Sequence, residues 1–92
     1  MKIKLHTNDL PNSVNFTGSV AVDTEAMGLN HKRDRLCLVQ LSNGNGICHL
    51  VQIQNNKLKP KNLIKMLKNK KILKIFHYAR FDVGILKHAF NI

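Results

Sequence analysis

Ninety-two residues make one small domain or part of a larger one, and no stretch approaches the roughly 20 apolar residues needed to span a bilayer. Fifteen Lys and Arg against five Asp and Glu give a net charge of +10, which suits a polyanionic partner and disfavours cationic ones. The apolar fraction of 43% supports a core, and with Trp absent and aromatics at 5% that core must rest on Leu, Ile and Val.

The first six residues alternate charge without an apolar h-region, so no signal peptide is expected. Asp9 with Pro11 reads as a turn. Ser19-Val20-Ala21-Val22, preceded by Gly18, reads as a short buried strand that delivers Asp23-Thr24-Glu25. Leu36-Cys37-Leu38-Val39-Gln40-Leu41 is a second, nearly apolar strand. The turn-rich Ser42-Asn43-Gly44-Asn45-Gly46 and a third strand, Ile47 to Val51, complete a hairpin. A symmetric loop places Cys37 near Val51, so the two cysteines should not face each other. Their spacing matches no zinc motif, and two buried reduced thiols are expected, as in a reducing cytosol.

Pro60 then suits the first turn of a helix carrying Leu63, Met66 and Leu67 and ending near Asn69. Residues 72–76 read as a fourth strand. Residues 79–90 read as a second helix, with Phe81, Ile85, Leu86 and Ala89 on one broad face despite the cost of Gly84. Three strands, helix, strand, helix make a mixed α/β layout in a single domain spanning 1–92. His6, His31, His49 and His88 show no partner pattern and read as surface or locally bonded histidines. Asp34, between Arg33 and Arg35, reads as part of an exposed turn.

Three of the five scarce carboxylates fall in two motifs, Asp23-Thr24-Glu25 and His77-Tyr78-Ala79-Arg80-Phe81-Asp82. Strand side chains alternate, so Asp-x-Glu aims both acids to one face. Two carboxylates so close repel unless a cation joins them, and an oxygen-only site suits Mg²⁺ or Mn²⁺. In a basic protein, such a site points to two-metal cleavage of a phosphodiester. Residues 57–74 hold eight lysines in eighteen residues, with no acid between Asp34 and Asp82. Lys68, Lys70 and Lys71 are the candidate contacts to a nucleic-acid backbone.

These motifs resemble the ribonuclease D branch of the DEDD exonuclease superfamily. Val20-Ala21-Val22-Asp23-Thr24-Glu25 is similar to its first motif. Arg35-Leu36-Cys37-Leu38-Val39-Gln40-Leu41 is similar to the strand that follows, and Lys74-Ile75-Phe76-His77 with Asp82 to its second motif. The likeness runs from about residue 5 to the end. It implies a ribonuclease H-like mixed sheet and removal of nucleotides from RNA 3′ ends with two divalent cations, Mg²⁺ or Mn²⁺. By this resemblance Asp23 bridges both metals, Glu25 holds the one that activates water, and Asp82 supports the second. Thr24 and Met27 line the 3′-terminal nucleotide, and His77 lies near the scissile end.

The family also carries a fourth acid, four residues after a Tyr or His, on a later helix. The sequence stops before such a motif, so the resemblance implies the front portion of an exonuclease domain with impaired activity of its own. Two alternatives follow: a catalytically inactive, basic nucleic-acid-binding remnant, or one half of a split enzyme whose C-terminal half is separately encoded. The expected setting is cytoplasmic, with RNA as partner and no membrane.

Overall fold

Period-two alternation of apolar residues builds a five-stranded mixed sheet in the computed structural model, which describes residues 2–28, 35–55, 57, 59–77 and 79–92. The elements run β1 (Lys2–Thr7), β2 (Ser19–Ala26), β3 (Leu36–Ser42), β4 (Ile47–Gln52), α1 (Lys61–Lys68), β5 (Leu73–Phe76) and α2 (Ala79–Phe90). In space the strands lie β1-β4-β3-β2-β5. The pairs β2–β3 and β3–β4 are antiparallel, while β1 joins β4 and β5 joins β2 in parallel. The expected mixed sheet of three antiparallel strands, helix, strand and helix is therefore present. The readings of His31 and Asp34 fall outside the described residues.

Three expectations need correction. The N-terminal segment, to which the sequence reading gave no element, is the edge strand β1. Its Lys-Ile-Lys-Leu-His-Thr alternation is itself a strand pattern. The strand read over 19–22 runs on to Ala26, so the first motif lies inside β2 and not at its end. The hairpin is also displaced: Val39 faces Val51 and Leu41 faces His49, whereas Cys37 accepts a hydrogen bond from the Ile53 amide. The loop is asymmetric because Gly44 and Gly46 take positive φ and Asn43 and Asn45 bond forward along the backbone. Both cysteines are free, Cys48 buried and Cys37 half-buried.

Paired residues share a face, so the register sorts the sheet into two sides. Val20, Val22 and Thr24 of β2 look the same way as Val39, Leu41 and Val51. This is the core face. Leu63 and Met66 of α1 and Ile85, Leu86 and Phe90 of α2 join its hydrophobic cluster, as do Leu10 and Phe16 from the β1–β2 connection. The opposite face presents Ala21, Asp23 and Glu25 together with Ile3, Leu5, Leu73 and Ile75. Among the described residues no helix covers it, and those four aliphatic side chains are 64%, 64%, 65% and 50% exposed.

Helix α1 has Pro60 at its N-cap, one position before the expected first-turn place, and this residue supplies no side-chain cap. Asp9 does so from across the fold, accepting hydrogen bonds from the Asn62 and Leu63 amides at 3.0 and 2.9 Å. The turn read at Asp9 thus also seats α1 on the sheet. At the end of α2, the Lys59 ammonium donates to the Ala89 carbonyl at 3.1 Å, placing a cation where the helix dipole favours one.

Candidate active site

The first motif is displayed by strand alternation. Asp23 and Glu25 are exposed on the open face, and Thr24 between them is buried on the core face. Immediately after Glu25 the β2–β3 register shifts at a bulge. Bulges are common beside functional sites because they re-aim neighbouring side chains. Here the shift also explains why Leu36, rather than Cys37, enters the core alongside Val39 and Leu41.

The second motif reaches the first from α2. Asp82 lies three and four residues before Ile85 and Leu86, on the stripe that faces the sheet, and it is only 2% exposed. Its Oδ1 accepts a hydrogen bond of 2.5 Å from the Thr24 hydroxyl, joining residues 58 apart in sequence. A hydroxyl donating to a carboxylate makes a stronger bond than one between two neutral groups. Asp82 Oδ2 is buried and has no hydrogen-bond partner among the described residues. An oxygen in that position is costly unless something satisfies it.

The fold therefore brings the two motifs together at Thr24, although the three carboxylates do not form a closed cage. Asp23 and Glu25 point to one side of β2, and Asp82 meets the other side through Thr24. Among the described residues no three His, Cys, Asp or Glu side chains are grouped closely enough to hold a metal ion. The donor set fits a hard divalent cation in its chemistry, all carboxylate oxygen, and the orphaned Oδ2 is the observation that calls for a cationic partner. Thr24, expected beside the substrate, has its hydroxyl engaged in holding Asp82.

On the open face, a cleft of about 300 Å³ is lined by Asp23, Gln40, Ser42, Ile75, Phe76 and His77. His77 is exposed at the end of β5 and shares this cleft with Asp23, as the two motifs suggest. Gln40 is the register partner of Asp23 on β3. Sequence reading passed over Gln40 and Ser42 as a site, although Gln40 stood in the strand motif and period two aims it with Asp23. Met27 is 70% exposed just past β2, where its amide donates to the Arg35 carbonyl. Lys68, Lys70 and Lys71 are all exposed at the end of α1 and the turn into β5, with the Lys71 amide bonded to Asn69 Oδ1 at 3.0 Å.

The 3′-5′ exonuclease family model matches residues 4–92. NrnC of Brucella melitensis superposes with a TM-score of 0.92 at 52% identity, covering 98% of this chain and 45% of that one. NrnC has also been solved with bound Mg²⁺, and bound to pGG, where the TM-score is 0.94 at 50% identity over 100% of this chain and 46% of that one. Ribonuclease D of Escherichia coli shares the fold, with a TM-score of 0.62 at 23% identity over 82% of this chain and 20% of that one. The chain thus spans a little under half the length of the NrnC structures it matches. No curated protein matches it.

Proposed function

Since the chain belongs to the 3′-5′ exonuclease domain family, we propose that it is the front portion of an enzyme that trims RNA from the 3′ end by divalent-metal hydrolysis of phosphodiesters. The observation that carries this reading is the Thr24–Asp82 bond, which ties the two acidic motifs into one locality. Asp23, Glu25 and Asp82 are the residues that would hold Mg²⁺ or Mn²⁺, and the metal would supply activated water and charge neutralisation at phosphate. The Mg²⁺ in the NrnC relative and the oxygen-only donors here both support a hard cation. Thr24 acts on Asp82, fixing the carboxylate's direction through a hydrogen bond that the open face does not share. The cleft between Asp23 and His77 is the proposed seat of the 3′-terminal nucleotide. Met27 borders the same strand end, and the pGG-bound relative supports a nucleic-acid partner. Lys68, Lys70 and Lys71 would hold the backbone by screened charge contacts. Two free thiols suit a cytoplasmic setting, and among the described residues no helix is long and apolar enough to cross a membrane.

Autonomous turnover is proposed to be weak. The open face carries Asp23 and Glu25 amid exposed aliphatic side chains, so further polypeptide that covers this face would complete both the packing and the site. A separately encoded C-terminal half is one source of that cover. The test is release of mononucleotides from labelled RNA in Mg²⁺ or Mn²⁺, for the chain alone and with a complementing segment, against Asp23→Ala. Activity that appears on complementation and vanishes in Asp23→Ala is the expected result. Trimming that survives Asp23→Ala would remove this residue from the chemistry. Robust trimming by the chain alone would refute the dependence on added polypeptide. RNA bound equally in every case and never shortened would establish the binding-remnant alternative.

A further inference from the structure

His6 and His49 lie 43 residues apart in sequence and meet on the core side of the sheet. The parallel β1–β4 register sets Lys4 opposite His49 and His6 opposite Val51, so the two histidines are diagonal neighbours on one face. His6 Nε2 and His49 Nδ1 share a hydrogen bond of 2.9 Å, and the rings stack with centroids 5.2 Å apart and a tilt of 18°. Phe16, from the β1–β2 connection, meets the His49 ring edge-to-face at 5.7 Å. His49 is 6% exposed and His6 is half-buried. One histidine pair thus touches three segments: β1, β4 and the connection, which also carries Asp9, the cap of α1.

A hydrogen bond between two imidazoles needs one nitrogen that carries a proton and one that is bare. Whichever ring donates, its far nitrogen can take one further proton and the bond survives, now charge-assisted. A second proton must enter the accepting nitrogen. It leaves two N–H groups facing each other and two cations stacked. The surroundings oppose that second charge. From β1, Lys4 faces His49 and Lys2 lies on the same side, while Val39 and Leu41 on the core face of β3 are neutral. The one acid of the connection, Asp9, has its oxygens engaged by the Leu10, Asn62 and Leu63 amides. Burial, then His6, then Lys4 lower the His49 pKa.

We propose that the His6–His49 pair is a proton-operated latch, which holds β1 and the β1–β2 connection to β4 until both rings are charged and then releases them. Released rings take the second proton more readily than the latched pair. The latch is therefore closed above the ordinary histidine value of about 6.5 and weakens as pH falls below it. The release is local, because β2 and β3 contain no histidine and are held by Val20, Val22, Val39 and Leu41 in the core.

The test is hydrogen exchange of the whole chain read by mass spectrometry, at about pH 7.5 and about pH 5, on either side of that value. Protection is corrected for the intrinsic pH dependence of exchange. In the wild type, protection over residues 2–7 and 8–18 should fall about tenfold at the lower pH, the worth of one hydrogen bond, while residues 36–42 keep theirs. His6→Gln should abolish the fall, because a carboxamide offers an acceptor to protonated His49 and adds no charge. Lys4→Gln, at an exposed position, should shrink it, since one charge opposing the second proton is gone. Unchanged wild-type protection over 2–7 and 8–18 would overturn the latch. An equal fall across residues 36–42 would overturn it too, as global unfolding, and so would a fall in His6→Gln as large as that of the wild type. If His6→Gln is already unprotected at the higher pH, an undiminished fall in Lys4→Gln overturns the latch in its place.

Discussion

Replacing Thr24 by Val isolates the contact that joins the two motifs. Valine keeps the β-branched shape and strand preference of threonine, so the hydroxyl is the main thing lost. Asp82 is 2% exposed, and water therefore has little access to replace the missing donor. Its Oδ2 already has no partner among the described residues, so the substitution leaves both carboxylate oxygens unsatisfied. A hydrogen bond to a charged group is worth about 1.5–3 kcal/mol, and the burial places this one toward the upper end, about 2–3 kcal/mol. For a domain of this size that corresponds to a fall in melting temperature of roughly 10–20 °C. Urea unfolding followed by far-ultraviolet circular dichroism is the suitable assay, since the chain has no Trp. Thr24→Ser keeps the donor and loses one methyl, which should cost about 1 kcal/mol. Thr24→Val combined with Asp82→Leu removes both partners, so the double variant should lose less than the sum of the singles by about 1 kcal/mol or more. Thr24→Val no more destabilising than Thr24→Ser, with additive singles, would show that the hydroxyl does not support Asp82.

Asp9→Ala should cost about 1–2 kcal/mol in the same unfolding assay, because it strips the cap from the start of α1, and Asp9→Asn should recover much of the loss. Stability should fall as pH drops below the ordinary histidine value of about 6.5. The His49 pKa is lowered by burial, then by His6 and Lys4, so the fold favours the neutral ring and loses that stabilisation as the ring is protonated. His49→Phe should flatten that part of the melting temperature–pH curve. Addition of Mn²⁺ should raise the wild-type unfolding midpoint by less than a complete four-acid site would give, and Glu25→Ala should reduce the rise. Identical curves would take Glu25 off the ligand set.

Much of this architecture can be read along the chain because its signals are local. The turn cluster at 42–46 announces the β3–β4 hairpin, and helical spacing marks α2 at its observed limits. The hairpin register is not local in the same sense. It depends on which residues take positive φ, and Gly44 and Gly46 shift the pairing so that Val51 faces Val39. Strand β1 is less legible still, because its partner β4 lies far along the sequence and its own side chains stay largely exposed. Within the motifs, period two gives the common direction of Asp23 and Glu25. The direction of Asp82 was also available, in its place on the stripe completed by Ile85, Leu86 and Phe90, but a first-turn acid reads equally well as a partner of the helix dipole. What no spacing reveals is that Thr24, the intervening residue, is the one that α2 meets.

That meeting has a consequence for how the two faces divide their work. The core face is packed by both helices and fixes Asp82 through Thr24, while the open face presents Asp23 and Glu25 beside Ile3, Leu5, Leu73 and Ile75. Acids that hold a cation attract it more strongly as the local dielectric falls, even while a hard ion keeps part of its water shell. Aliphatic side chains left half or more exposed need cover for a different reason, the apolar area they expose. On the proposed reading, one layer packed over the aliphatic part of the open face, beside the Asp23–His77 cleft, serves both demands. With such a layer, folding and site completion would be coupled through β2 itself: its buried residues anchor the strand to the core, and its alternate residues face the open side. Substitutions that loosen the core face, such as Thr24→Val, should therefore weaken metal binding at Glu25 without touching that carboxylate, whereas substitutions at Ile75 should impair complementation without changing how Asp82 is held.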